Sequence, residues 1–179
     1  MSMLTRLWRT TRGTAAAEMA LVTPLLLILM MGSVELGNYF YNEHILVKAV
    51  RDGARYAARQ NFTNYDACSG LPTGTVVDDT KKLVKTGLLI GPSGEVVTMT
   101  PGPLDRLAAW NATTISVTMS CTTTANSTTL SGIYRGRTTG APVVTVSAIV
   151  PYIPVLASFG FRGTGLSLNA TQQAAVMGI

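Results

Sequence analysis

What this sequence has least of is the chemistry of a catalytic or metal site. Its 179 residues include one histidine, His44, and two cysteines, Cys68 and Cys121. A single imidazole cannot furnish a zinc site of the usual kind, and cysteines 53 positions apart are no CxxC pair. No phosphate-binding glycine loop is present, and Gly160, Gly163 and Gly165 around Arg162 read as a turn between strands. Asp78 and Asp79 are adjacent, which predicts acids facing solvent near a helix N-terminus, where the dipole favours them, rather than a catalytic dyad. The expectation is a chain that is not an enzyme and holds no metal or other cofactor. Charge is scarce too. Only 13% of residues are charged against 47% hydrophobic, too apolar for a disordered chain and poor in charge for a cytosolic enzyme.

The net charge of +5 invites a nucleic-acid reading, so its location matters. Arg6, Arg9 and Arg12 supply three of the 14 basic residues, and the remainder nearly balances the 9 acidic ones. No basic stripe interleaved with aromatics is left to follow a phosphate backbone, which argues against a nucleic-acid partner. The three arginines instead precede an apolar run. Residues 19–34 read MALVTPLLLILMMGSV without an ionisable group, and extension back through Ala15 takes in only Glu18. That is about the ~20 residues needed to cross a hydrocarbon core as a helix. Arginines before it, with Glu35 and Glu43 after it, predict a cytoplasmic N-terminus and a body on the far side of the membrane, in contact with lipid along the span. A cleaved secretory signal would need small residues at the far end of the run. Only Gly32 and Ser33 stand there, whereas the alanines lie at the near end.

Helical periodicity continues beyond the apolar run. Leu46, Ala49, Val50, Gly53, Ala54 and Ala57 recur at three- and four-residue spacing, while Lys48, Arg51, Asp52, Arg55 and Arg59 mostly fall opposite. The pattern predicts one long helix from Thr14 to Gln60, with Pro24, Gly32, Gly37 and Gly53 as bends or weak points. Its narrow face of small residues suits close packing on a sheet or another helix. The rest reads as a small body. Thr75 and Asp78 resemble a capping box ahead of an amphipathic helix marked by Val76, Thr80, Leu83, Val84 and Leu88 and broken by residues 91–94. Alternation predicts strands through Ile115, Val117, Met119 and Cys121, through Val144, Val146, Ala148 and Val150, and through Leu166, Leu168 and Ala170. A weaker run at 95–100 suggests a fourth strand, and residues 122–140 a long surface loop. The fold class expected is α+β: a long N-terminal membrane helix continuing into a small domain with an antiparallel sheet covered on one face. The divisions are a basic leader (1–13), a transmembrane helix (14–35), its extension along the body (36–61) and the α+β body (62–179).

Placement outside the membrane puts Cys68 and Cys121 in an oxidising compartment, where a disulfide is expected; the alternative is a buried free thiol at Cys121, which ends an apolar strand face. Four Asn-x-Thr sequons, at Asn61, Asn111, Asn126 and Asn169, carry little weight in a threonine-rich chain.

The junction ahead of the apolar run is the most specific feature. Arg12-Gly13-Thr14-Ala15-Ala16-Ala17-Glu18 resembles a type IV prepilin junction, with a basic leader, a glycine before the cut and glutamate at the fifth mature position. The run from Glu18 to Leu27, Glu35-Leu36-Gly37 and the stretch from Gly53 to Ala58 resemble the TadE-like pseudopilin family over the first third of the chain. The resemblance implies cleavage between Gly13 and Thr14 by a prepilin peptidase. It implies an assembly role for Glu18 and work beside other pilins, pseudopilins and the inner-membrane platform of a Tad/Flp pilus, at the cell surface or in the fibre. Met19 stands where major pilins of this class carry tyrosine, and the body is far larger than a major Flp pilin. Both departures point to a minor pilin. Two alternatives stay open: an uncleaved membrane-anchored assembly protein, and a secreted extracellular binding module. The mature N-terminus would be Thr14, Met1 or a residue near Val34, respectively.

Overall fold

The computed structural model describes residues 12–90, 102–107, 110, 114–122, 130–137, 139–160 and 165–178. Helix α1, Arg12–Ala58, runs 47 residues without interruption. Pro24, Gly32, Gly37 and Gly53 all lie inside it, so none of the four ends the helix. A proline removes one backbone bond, and a helix in an apolar medium has no water to compete for the others. A second helix, α2, spans Val76–Thr86. Four strands follow chain order in one sheet: β1 Ser69–Gly70, β2 Ile115–Thr122, β3 Ala141–Pro151 and β4 Ser167–Ala175, each antiparallel to its neighbour. By its contacts the chain forms two compact units. One contains α1 as far as Tyr39 and the segment starting at Pro154. The other contains the rest of α1, α2 and the sheet.

In the sheet unit the alternating strand pattern becomes a single buried face. Val117, Val146 and Gln172 stand opposite one another across β2, β3 and β4, as do Ile115, Ala148 and Ala170. The β2 and β3 members are buried, while the inward positions of edge strand β4 stay half-buried. β4 therefore reaches Ala175 through a polar stretch, further than the alternation of Leu166, Leu168 and Ala170 indicates. Leu168 alone of those three is buried, and Leu166 is exposed just outside the strand. The α1 stripe behaves as its spacing predicts: Leu46, Ala49, Val50, Ala54 and Ala57 are fully buried. Gly53 faces Val84 and Thr80 of α2 so closely that an added Cβ would overlap the Val84 side chain.

Several local expectations are corrected. Thr75 stands at the N-cap of α2, yet its side chain makes no capping bond. The helix ends at Gly87, not at residues 91–94. Gly87 adopts φ 81°, its N–H donates to the Leu83 carbonyl at 2.8 Å, and the Arg106 guanidinium occupies the space a Cβ would need. Leu88 consequently lies beyond the helix, exposed. Within the expected surface loop 122–140 the described residues include a 3-10 turn, Gly132–Tyr134, none of whose residues is buried. The Tyr134 hydroxyl donates to the Val176 carbonyl at 2.7 Å, and the Arg137 guanidinium sits 5.0 Å from the centre of the Phe62 ring. The strand expected at 95–100 lies outside the described residues.

Candidate functional site

The first half of α1 is built from residues that have no business in water. Leu21, Leu25, Leu26, Ile28, Leu29 and Met30 are all more than half exposed. The helix is long and apolar enough to cross a membrane, and none of its most apolar window is buried within the chain. The hydroxyls of Thr23 and Ser33 are satisfied locally, as a lipid medium would require: Thr23 donates to the Met19 carbonyl at 2.6 Å and Ser33 to the Met30 carbonyl at 2.8 Å. Gly32 and Gly37 have open space where a side chain would project.

The residues singled out at the N-terminal end all fall on this helix. Gly13 lies in its first turn, exposed, with nothing near its α-carbon hydrogens, and Thr14 follows within the same turn. Glu18 stands one turn after Thr14, exposed, with no ion-pair partner among the described residues. Helical geometry places positions four apart on one face, so Thr14 and Glu18 share a side of α1. His44 is exposed further along the helix. Among the described residues, no group of three or more His, Cys, Asp or Glu side chains could hold a metal ion.

At the other end of the apolar run, Glu35 makes a contact that sequence reasoning missed. Its carboxylate accepts from the Val155 N–H at 3.3 Å and from the Leu156 N–H at 3.1 Å. These are the first two amides of a 3-10 turn, Val155–Phe159, whose initial N–H groups have no partner within the turn itself. The pairing spans 121 positions between Glu35 and Leu156, so nothing local in the sequence signals it.

The sheet unit is held by polar clamps. Cys68 and Cys121 are joined as expected, with their Cα atoms 5.1 Å apart, which ties β1 to β2. Cys68 takes φ 54°, the left-handed region that a β-carbon disfavours, at the point where the chain turns into β1. Lys85, read only as part of an amphipathic helix, is fully buried. Its ammonium lies 2.9 Å from the carboxylate of Asp105, which is itself nearly inaccessible. Arg106, the next residue, reaches Asp52 of α1 at 3.2 Å, and its N–H donates to the Lys85 carbonyl at 2.9 Å. One short segment thereby joins both helices. Tyr65 is buried and donates its phenol to the Ala57 carbonyl at 2.5 Å; burial first, then the neighbouring Tyr56, pushes its pKa above the ordinary phenol range. Tyr56 is also shifted upward, by burial, by the negative charge of Asp79 and by a hydrogen bond to that carboxylate. Asn61, at the first sequon, accepts from the Thr63 N–H at 3.0 Å and the Thr63 hydroxyl at 3.1 Å, which begins a 3-10 turn.

Comparison with known proteins agrees with the emphasis on α1. Residues 13–55 match the family model described as TadE-like protein. The match begins at Gly13 and takes in Glu18, Glu35 and the buried stripe as far as Ala54. No curated protein and no solved structure matches the chain.

Proposed function

From the premise that the chain is TadE-like over residues 13–55, we propose that it is a minor pilin of a Tad/Flp-type adhesive pilus, held in the inner membrane by α1 before it joins an assembly. The observation that carries this reading is a family match that coincides with an apolar helix left uncovered by its own chain. Such a surface needs lipid, or the same helix of neighbouring subunits, and a pilin uses the two in succession. The sheet unit then supplies the folded body outside the membrane. Its cross-strand disulfide suits an oxidising compartment.

In this reading a prepilin peptidase cuts between Gly13 and Thr14. Both residues lie in the first turn of α1, an easily frayed end, so the peptidase unwinds one turn to bring an extended glycine into its site. Cleavage frees the Thr14 α-amine at the membrane surface. Glu18 of an incoming subunit then has a cation available on its neighbour, where low dielectric strengthens the pairing. Other pilins, the peptidase and the inner-membrane platform are the partners this sequence of events requires.

Sequencing the N-terminus of native protein, followed by its detection in sheared pili, tests the proposal. A mature chain starting at Thr14 and present in the sheared fraction is the expected result. A chain starting at Met1 would make the protein an uncleaved membrane-anchored assembly factor, and one starting near Val34 a secreted module; either overturns the pilin reading.

A further inference from the structure

The loop between β3 and β4 has an unusual composition for a connection on a protein surface. Between the strands, residues 152–166 carry a single charged side chain, Arg162, and residues 151–157 read PYIPVLA. Loops facing water carry polar and turn-forming residues. Here Val155 is 51% exposed at the start of the 3-10 turn, and Ile153 is exposed just before it. Among the described residues, none covers these two side chains.

Glu35 fixes where this turn lies along α1. Through its bonds to the Val155 and Leu156 amides, the start of the turn is held at the level of residue 35, directly after the apolar run ends at Val34. The turn belongs to the same compact unit as the apolar part of α1 and not to the sheet unit. A helix that enters the hydrocarbon near Ala15 needs about 20 residues to cross it, and so emerges near residue 35. The exposed side chains of Val34, Leu36 and Val155 then share one level, that of the outer lipid headgroups. An interface of this kind accepts apolar side chains but competes poorly for backbone amides, and the Glu35 carboxylate satisfies two of those amides from within the protein.

We propose that the 3-10 turn Val155–Phe159 is a second membrane contact, an interfacial foot that rests in the headgroup layer beside the emerging helix with Glu35 as its positioning residue. The occupant of this apolar surface is the lipid of the same membrane that α1 crosses, because the turn continues the lipid-facing surface of the helix without a gap in level. The inference rests on the membrane reading of α1. Its consequence is that the protein is gripped at two points, so extraction into a fibre must release the loop as well as the helix.

Site-directed spin labelling of the full chain in vesicles of phosphatidylethanolamine and phosphatidylglycerol tests it. The native cysteines are bonded to each other, so a nitroxide attaches only to an introduced cysteine. Labels at Leu25→Cys, Val155→Cys and Asp78→Cys are compared for collision with oxygen, which concentrates in lipid, and with a nickel chelate, which stays in water. Asp78 is a charged, exposed position of α2 and serves as the aqueous reference. The expected result is strong oxygen preference at Leu25, several-fold weaker nickel collision at Val155 than at Asp78, and return of Val155 to the aqueous value when Glu35→Ala is added. Glu35→Gln keeps one acceptor oxygen and should restore part of the shielding. Val155 as open to nickel as Asp78, with Leu25 in lipid, overturns the foot and leaves the membrane helix standing. Leu25 open to nickel overturns the membrane reading and the foot with it. Val155 shielded from both reagents until the protein is diluted with lipid overturns the lipid contact in favour of a second copy of the chain. An unchanged Val155 signal in Glu35→Ala overturns the positioning role.

Discussion

Lys85 is a buried charge, and in the proposed membrane placement Glu18 is a second one where water is scarce; they differ in where the compensation comes from. Lys85 is compensated inside the chain, by Asp105 at 2.9 Å. Removing one partner from a buried pair strands the other, which typically costs about 3–5 kcal/mol, whereas replacing both by apolar groups is often neutral. Asp105→Ala is therefore expected to lower the denaturant midpoint of the detergent-solubilised protein sharply, by about 3 kcal/mol or more in stability. Lys85→Met in the same chain should recover most of that loss. Glu18 has no such partner among the described residues, and the pilin reading assigns its compensation to the Thr14 amine of a neighbour. Glu18→Ala should then still insert, still be cut after Gly13 and still fold, yet fail to crosslink to other pilins. Glu18→Gln should fail nearly as badly, because it keeps the shape and loses the charge. Normal incorporation of the alanine variant would leave intersubunit pairing without support.

At the scale of elements, α1 does two jobs on one uninterrupted helix, and the change of job is visible in its side chains. Large exposed apolar residues give way to alanines and a glycine that permit close approach to α2. Gly53 is the tightest point, since a methyl group there would meet the Val84 side chain and lie 3.4 Å from the Thr80 methyl. Overpacking of this kind costs about 1–3 kcal/mol in a well-filled core. Gly53→Ala should destabilise the body by that order, measured by denaturant titration, and Val84→Ala should offset part of the loss in the double variant. Simple additivity of the two losses would show that the helices do not meet as described. The same contact explains why α2 is amphipathic: Val76, Thr80 and Val84 are the positions on its buried side.

For the whole molecule, the disulfide closes a 53-residue separation that includes α2 and the segment carrying Asp105 and Arg106. In the chain-entropy treatment a loop of that size restricts the unfolded state enough to stabilise the body by about 4 kcal/mol. Reduction, or Cys68→Ser with Cys121→Ser, should lower the unfolding temperature of the detergent-solubilised protein substantially. Thiol labelling of the unreduced, denatured chain should find neither cysteine free. Quantitative reaction of both would contradict the bond. The apolar half of α1 should respond little to reduction, because its backbone bonds are internal to one segment and need no support from the sheet.

The sequence by itself determined the features that depend on local periodicity. The continuity of α1 past its apolar run, its small-residue stripe and the facing of β2 and β3 follow from spacing alone, since a helix repeats every 3.6 residues and a strand every two. Tertiary structure decided what depends on distant partners. Lys85 carries no local signal of burial, and only the fold brings Asp105 against it. Gly87 ends α2 in the left-handed region, and the Arg106 guanidinium packs where a Cβ would stand. β4 extends through polar residues because an edge strand buries little and is held by its ladder to β3. Arg137 is anchored from a distance, over the Phe62 ring and against the Asp66 carboxylate, which no local spacing signals. Glu35 shows the difference most clearly: sequence made it the charge that closes an apolar run, and only the fold brought two unpaired amides from 120 residues away within its reach.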